Sequence, residues 1–129
     1  MRIVTPFDPI ECGEIDNFVF DFTADIGAAA ITSTSWTCSL PGNSESGGAF
    51  DPAPASRILA TSVQTSIAVR SSIDGTLGQR LGAFSVASVG GFPRTAAGGN
   101  YVLEATSRLN DGRVLKLNST VQAVRPGQG

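Results

Sequence analysis

The chain has 129 residues, 41% hydrophobic and only 16% charged, with a net charge of -2, 15 Gly, 7 Pro and no His. That length fits one domain able to bury roughly two-thirds of its unfolded surface, so folding needs neither a metal nor a disulfide framework. The balance excludes a disordered tail or a charge-rich coiled coil, and the missing imidazole excludes Ser–His or Cys–His nucleophile pairs and His-containing metal sites.

In chain order, residues 1–14 form an irregular acidic arm containing Pro6 and Pro9. Asn17–Thr23 (N-F-V-F-D-F-T) sets Phe18, Phe20 and Phe22 in alternation with Val19 and Asp21, the period of a half-buried strand. Ala24–Gly27 breaks that pattern. Ile31–Leu40 predicts a second strand with Trp36, Cys38 and Leu40 on one face and hydroxyls on the other, ended by Pro41. Residues 41–56 hold three Pro and three Gly and predict a loop longer than a hairpin connection. Ile58–Val69 resumes strand character, with Val63, Thr65, Ile67 and Val69 in phase, before a turn at Asp74-Gly75. Leu81–Val89 predicts a short strand and Gly90–Gly99 a second long loop. Tyr101, Leu103 and Ala105 alternate, Asn110-Asp111-Gly112 makes a tight turn, and Leu115, Leu117, Ser119, Val121 and Ala123 alternate toward a frayed tail from Arg125.

Six or seven strands without an amphipathic helix fit an all-β fold: a single antiparallel β-sandwich over residues 15–129, preceded by the irregular N-terminal arm. Gly99-Asn100-Tyr101 before Leu103 resembles the approach to the penultimate strand of immunoglobulin-like domains, where a tyrosine hydroxyl bonds backbone at the sheet corner. Trp36 suits the buried tryptophan of such folds. Leu103 stands where antibody-type domains place their second cysteine, so no disulfide pins the sheets. Phe18, Phe20, Trp36, Tyr101 and Leu103 are therefore expected in the core.

Charge is divided along the chain. Residues 1–25 carry six carboxylates against Arg2 alone, a net of -5, whereas residues 52–129 sum to +5. Such a split suits pairing within one molecule or between neighbouring copies. The Arg residues form no run and lack interleaved aromatics, so nucleic acid is not expected as a partner. Cys12 and Cys38 lie 26 positions apart and form no C-x-x-C, which excludes zinc and thioredoxin-like chemistry. No apolar leader opens the chain and no apolar run reaches a membrane span, so the expectation is a cytosol-like compartment, free thiols and no membrane partner.

Candidate chemistry is thin. Asp21 with Asp25, or Glu11 with Glu14, would need a cleft and a raised pKa to work as a catalytic pair. Asp8, Glu11, Glu14 and Asp16 have oxygen ligands for a calcium ion but match no known loop spacing. Asn118-Ser119-Thr120 has the glycosylation form but falls within a predicted strand, and the paired glycines read as turn residues. The expectation is no enzyme, no cofactor and no metal.

Three stretches carry a family resemblance: the acidic Pro-containing lead Asp8–Glu14, the aromatic strand and glycine Phe18–Gly27, and Ile31–Thr37. With Gly99–Leu103 and the hairpin Asp111-Gly112-Arg113, they resemble small virion proteins of tailed bacteriophages. The chain departs from that pattern in a longer middle, 71–99, and in Cys38 where valine is usual. The resemblance implies a structural part of the particle. The expected role is a cement protein that decorates the capsid exterior after synthesis in the host cytoplasm. Its expected partners are the major capsid protein and itself, in a trimer. The alternative is a neck or tail module, a fibre adaptor or receptor-binding domain, whose loops 41–56 and 90–99 face carbohydrate. Contacts are expected from Pro6, Phe7, Asp8, Glu11 and Glu14 of the arm and from Phe50, Phe92 and Arg94 of the loops. A chain beginning at Asn17 is expected to fold but to bind capsids weakly.

Overall fold

The protein is described from a computed structural model, which covers residues 2–3, 6–43, 48–70 and 73–125. The expected frayed tail beyond Arg125 and residues 44–47 of the first loop lie outside the described residues. Among the described residues, eight strands build two facing sheets, as an all-β sandwich requires. One sheet is β3 (Ile15–Asp21), β6 (Leu77–Gly90) and β5 (Ile58–Arg70), in that order. The other runs β8 (Val114–Val124), β7 (Asn100–Leu109) and β4 (Ile31–Ser39). Two short strands, β1 (Arg2–Ile3) and β2 (Ile10–Glu11), both lie parallel to β8. The six long strands follow the immunoglobulin connectivity, with the leading strands moved onto the last strand of the opposite sheet.

Large side chains face small ones across the ladders, which makes room for the rings of two aromatic strands. Phe18 lies opposite Ala87, Phe20 opposite Ser85, and Trp36 opposite Ala105. Phe18, Phe20, Trp36, Tyr101 and Leu103 are all buried, as their alternation predicts. The Phe20 and Trp36 rings meet between the sheets at 4.8 Å. Phe20→Ala would remove a fully buried ring, a loss of about 3–5 kcal/mol.

The core also carries hydroxyls. Trp36 Nε1–H donates to Ser85 Oγ at 2.7 Å, crossing from one sheet to the other. Thr34 Oγ1 bonds the hydroxyls of Ser85 and Ser107, and both serines are fully buried. A buried hydroxyl must find a partner, and this small network supplies one to each.

Beyond β1 and β2, the arm is tied to β8 by further backbone hydrogen bonds. Phe7 N–H donates to Thr120 O at 2.9 Å, and Cys12 N–H to Val124 O at 2.9 Å. Ile10 and Cys12 are buried while Glu11 between them is half-buried, so the arm supplies core residues. The Phe7 ring stacks on Phe18 at 4.7 Å. A chain beginning at Asn17 would lose Phe7, Ile10 and Cys12 together, so the arm is more than an irregular lead and contributes side chains to the core. Cys12 and Cys38 are both free thiols.

The break after Phe22 is a single helical turn, α1 (Thr23–Ile26). Thr23 Oγ1 accepts the Ala83 N–H at 3.0 Å, and a Cβ on Gly82 would stand 2.3 Å from that oxygen. Glycine is needed there to let the turn close on β6.

Candidate functional site

Most of the side chains expected to make contacts gather at one end of the sandwich. Gly13 N–H donates to Phe92 O at 3.1 Å and Gly91 N–H to Glu14 O at 3.2 Å, so the end of the arm lies on the 90–99 loop. Phe50 N–H donates to Thr95 O at 2.8 Å, bringing the 41–56 loop to the same place. Glu14 and Arg94 are exposed there, Glu11 and Phe50 half-buried. Pro6, Phe7 and Asp8 sit further along β8, with Pro6 and Asp8 exposed and Phe7 folded against the core. Phe92 is different. It is 2% exposed and packs edge-on against Tyr101 at 4.6 Å, so its ring is part of the core and not a contact residue.

Beneath that end lies a polar cluster built on Asp51, a residue the loop-like run of Pro and Gly conceals. Asp51 is fully buried, and Arg57 grips its carboxylate with Nε at 2.9 Å and Nη2 at 3.0 Å. Tyr101 Oη donates to Oδ2 at 2.6 Å and Ala53 N–H to Oδ1 at 2.9 Å. Asn43 brackets the Asp51 backbone, accepting its N–H at 2.8 Å and donating to its carbonyl at 2.6 Å. Arg57 Nη1 also donates to Gly91 O. The tyrosine hydroxyl therefore bonds a carboxylate, not the backbone group expected of the sheet corner.

Electrostatics follow from this geometry. Burial alone would raise the Asp51 carboxyl, but the hydrogen bonds from Arg57, Tyr101 and Ala53 and the Arg57 charge hold it below the ordinary carboxylate value. Burial raises the Tyr101 hydroxyl, reinforced by its bond to Asp51 and by that charge. Burial, with the Asp51 charge, pushes the Cys38 thiol up to about 12, which leaves it a poor nucleophile. The cluster's chemistry is that of a lock: it fastens two loops to β7 through a charged, bidentate pair. Among the described residues, no three His, Cys, Asp or Glu side chains come together to hold a metal, so the arm's four carboxylates do not gather. Among them, too, no helix is long and apolar enough to cross a membrane.

A second feature was not legible as a surface from sequence. The β3 ladder on β6 ends at Asp21 opposite Phe84, yet β5 and β6 continue as a pair through Ser66–Leu81 to Arg70–Leu77. This two-stranded ribbon of about 15 Å carries Leu77 at 69% exposure, Leu81 at 77% and Val69 at 40%. Ile73, at the turn, is also exposed. A register shift between Gln64 and Ser66 separates the ribbon from the covered sheet. It also breaks the expected phase: Val63 and Ile67 are half-buried, Thr65 and Val69 exposed.

No family model, curated protein or solved structure matches this chain.

Proposed function

We propose that this chain is a structural virion protein of a tailed bacteriophage that binds the assembled capsid shell as a cement protein. The exposed apolar ribbon of β5 and β6 carries this reading, because large exposed apolar side chains on a rigid domain serve contact with another protein surface. The core beneath is fit for a load-bearing spacer. Among the described residues, no buried side-chain nitrogen or oxygen lacks a hydrogen-bond partner. The sequence resemblance supplies the particle, and the major capsid protein is the partner it implies. Many weak contacts repeated over a shell sum through multivalency, so no single contact need be strong. Carbohydrate binding by the two loops loses support, because Phe92 is in the core and Phe50 is half-buried.

The test is sedimentation of the purified chain with expanded and unexpanded heads of a tailed bacteriophage that encodes it. Binding to expanded heads in proportion to the shell protein supports the reading. A few copies per particle, confined to the neck or tail, or no binding at all, would overturn it.

A further inference from the structure

We infer that Asp74 is a site of spontaneous isoaspartate formation, and that Asp111, in a turn of the same kind, is held against that reaction. This goes beyond the shell-binding reading and stands without it, since it concerns the covalent chemistry of the free chain.

Two hairpin turns carry an aspartate followed by glycine: Asp74-Gly75 between β5 and β6, and Asp111-Gly112 between β7 and β8. Glycine matters twice there. It takes the positive φ of each turn, 72° at Gly75 and 91° at Gly112, and it leaves the nitrogen unshielded by a side chain. A Cβ built at either glycine would meet nothing within 4 Å, so both turns have room. Both aspartates are exposed. Each also folds its carboxylate over the turn in the same way. Asp74 Oδ1 accepts the Thr76 N–H and Asp111 Oδ1 the Arg113 N–H, both at 3.1 Å. The ring each bond closes contains the glycine nitrogen, the atom that must reach the carboxyl carbon.

The reaction needs no partner but water. The glycine nitrogen attacks the aspartate Cγ, a C–N bond forms, and the carboxyl hydroxyl leaves as water with the amide proton. Water then opens the cyclic imide. Attack at the former side-chain carbonyl restores aspartate; attack at the main-chain carbonyl leaves the backbone running through Cβ and Cγ, one carbon longer. No mass is gained or lost. At position 74 that carbon would lengthen the turn beside the Arg70–Leu77 rung, where the register of the outer ribbon is set.

The two turns differ in what restrains the reacting atoms. Gly112 N–H donates to Leu109 O at 3.1 Å, whereas Gly75 N–H makes no hydrogen bond among the described residues. Arg113 Nε holds Asp111 Oδ2 at 2.8 Å, and its Nη2 is anchored on Ile26 O at 2.8 Å. The Arg113 amide bond and guanidinium keep Asp111 below the ordinary carboxylate value, and a carboxylate is a poorer electrophile than the acid that loses water. On Asp74 the corresponding side-chain donor is the neutral hydroxyl of Thr76, at 2.7 Å. The guanidinium of that turn, Arg70, donates to Gly75 O at 2.5 Å.

The experiment holds the folded full chain in warm neutral buffer. Both sites are followed by peptide mapping with electron-transfer fragmentation, which separates isoaspartate from aspartate of equal mass. Methyl transfer from S-adenosylmethionine by isoaspartyl methyltransferase counts the product independently. Isoaspartate at 74 should accumulate about tenfold faster than at 111, a barrier difference of about 1.4 kcal/mol. In the denaturant-unfolded chain, where the turns are gone, the two rates should converge. Arg113→Gln, checked for unchanged thermal unfolding, should raise the rate at 111 toward that at 74. Asp74→Glu should abolish the methyl acceptance that appears first. Equal rates at the two sites of the folded chain, or faster conversion at 111, would overturn the proposal. So would a folded chain that forms no isoaspartate at 74 while the unfolded chain does. A contrast that persists unchanged in denaturant would also overturn it, because local sequence and not the fold would then set the rates. Should Arg113→Gln fail to fold, the folded-to-unfolded rate ratio at each site of the native chain gives the same reading.

Discussion

The same two strands, β5 and β6, meet opposite fates at their two ends. At one end Arg57, just before β5, donates to the carbonyl of Gly91, just after β6, while holding the buried carboxylate of Asp51. At the other end Arg70 donates to the carbonyl of Gly75 at 2.5 Å, on the surface and at the turn. An arginine-to-glycine bond closes both ends. What differs is what lies against the strands: β3 pairs with β6 from Phe84 to Gly90 and Trp36 bonds Ser85, whereas Leu77 and Leu81 on the outer rungs stay exposed. Val89 is fully buried and Leu81 mostly exposed on one continuous strand. Side-chain type does not decide burial here; the opposing layer does.

The largest effect that would sharpen this contrast is Asp51→Ala. It would leave the Arg57 charge without its partner and strip Tyr101 of its acceptor, at a cost of about 3–5 kcal/mol, as for breaking other buried ion pairs. Denaturant unfolding measures it. Its pH dependence carries a sign. The Asp51 carboxyl is held below its ordinary value, so its contribution is present above the unfolded-state pKa of about 3.9 and is lost as pH falls through the lower folded-state value. Asp51→Asn should therefore be less stable near neutral pH and lose less on acidification. An acid limb equal to that of the native chain would show that Asp51 is not the group being protonated. The acid sensitivity would then belong to Asp21, whose pKa is lowered despite burial by hydrogen bonds from Thr23 and by Arg80, and to Asp111, whose pKa is lowered by hydrogen bonds from Arg113.

Much of the covered end was legible in the sequence, and the reasons are physical. Phe18-Phe20-Phe22, Tyr101-Leu103-Ala105 and Leu117-Ser119-Val121-Ala123 alternate over enough residues to reveal a buried face. Ile10 and Cys12 alternate too, but over three residues ending at Gly13, too short to distinguish from an irregular arm. Asp51 lies in the run F-D-P-A-P, where proline signals a turn and hides a buried acid. The signal available was Tyr101, whose hydroxyl needs a partner once buried. Leu77-Gly-Gln-Arg has no alternation, so the outer half of β6 was invisible before the pairing with β5 was seen.

Ile10→Ala would test whether the arm belongs to the layer that makes the covered end stable. Its side chain is 2% exposed and its backbone pairs with Ala123, so the substitution leaves a cavity against β8. The expected loss is about 2–4 kcal/mol, read from the denaturant midpoint at constant slope. A change under about 0.5 kcal/mol, the usual scale for surface sites, would mean that the arm rests on the sandwich without contributing to it.

The smallest expected effect isolates the comparison on a single strand. Val89 and Leu81 both lie on β6, at 0% and 77% exposure. Val89→Ala removes two buried methyl equivalents beside the core and should lower stability by about 2 kcal/mol. Leu81→Asn exchanges an exposed isobutyl group for an amide that water can solvate, so monomer stability should stay within about 0.5 kcal/mol. Measured at low protein concentration, where copies are apart, that near-equality defines the ribbon as surface in the free chain. A Leu81→Asn cost near that of Val89→Ala would mean that the ribbon is packed within its own molecule, and the two ends of the hairpin would no longer differ.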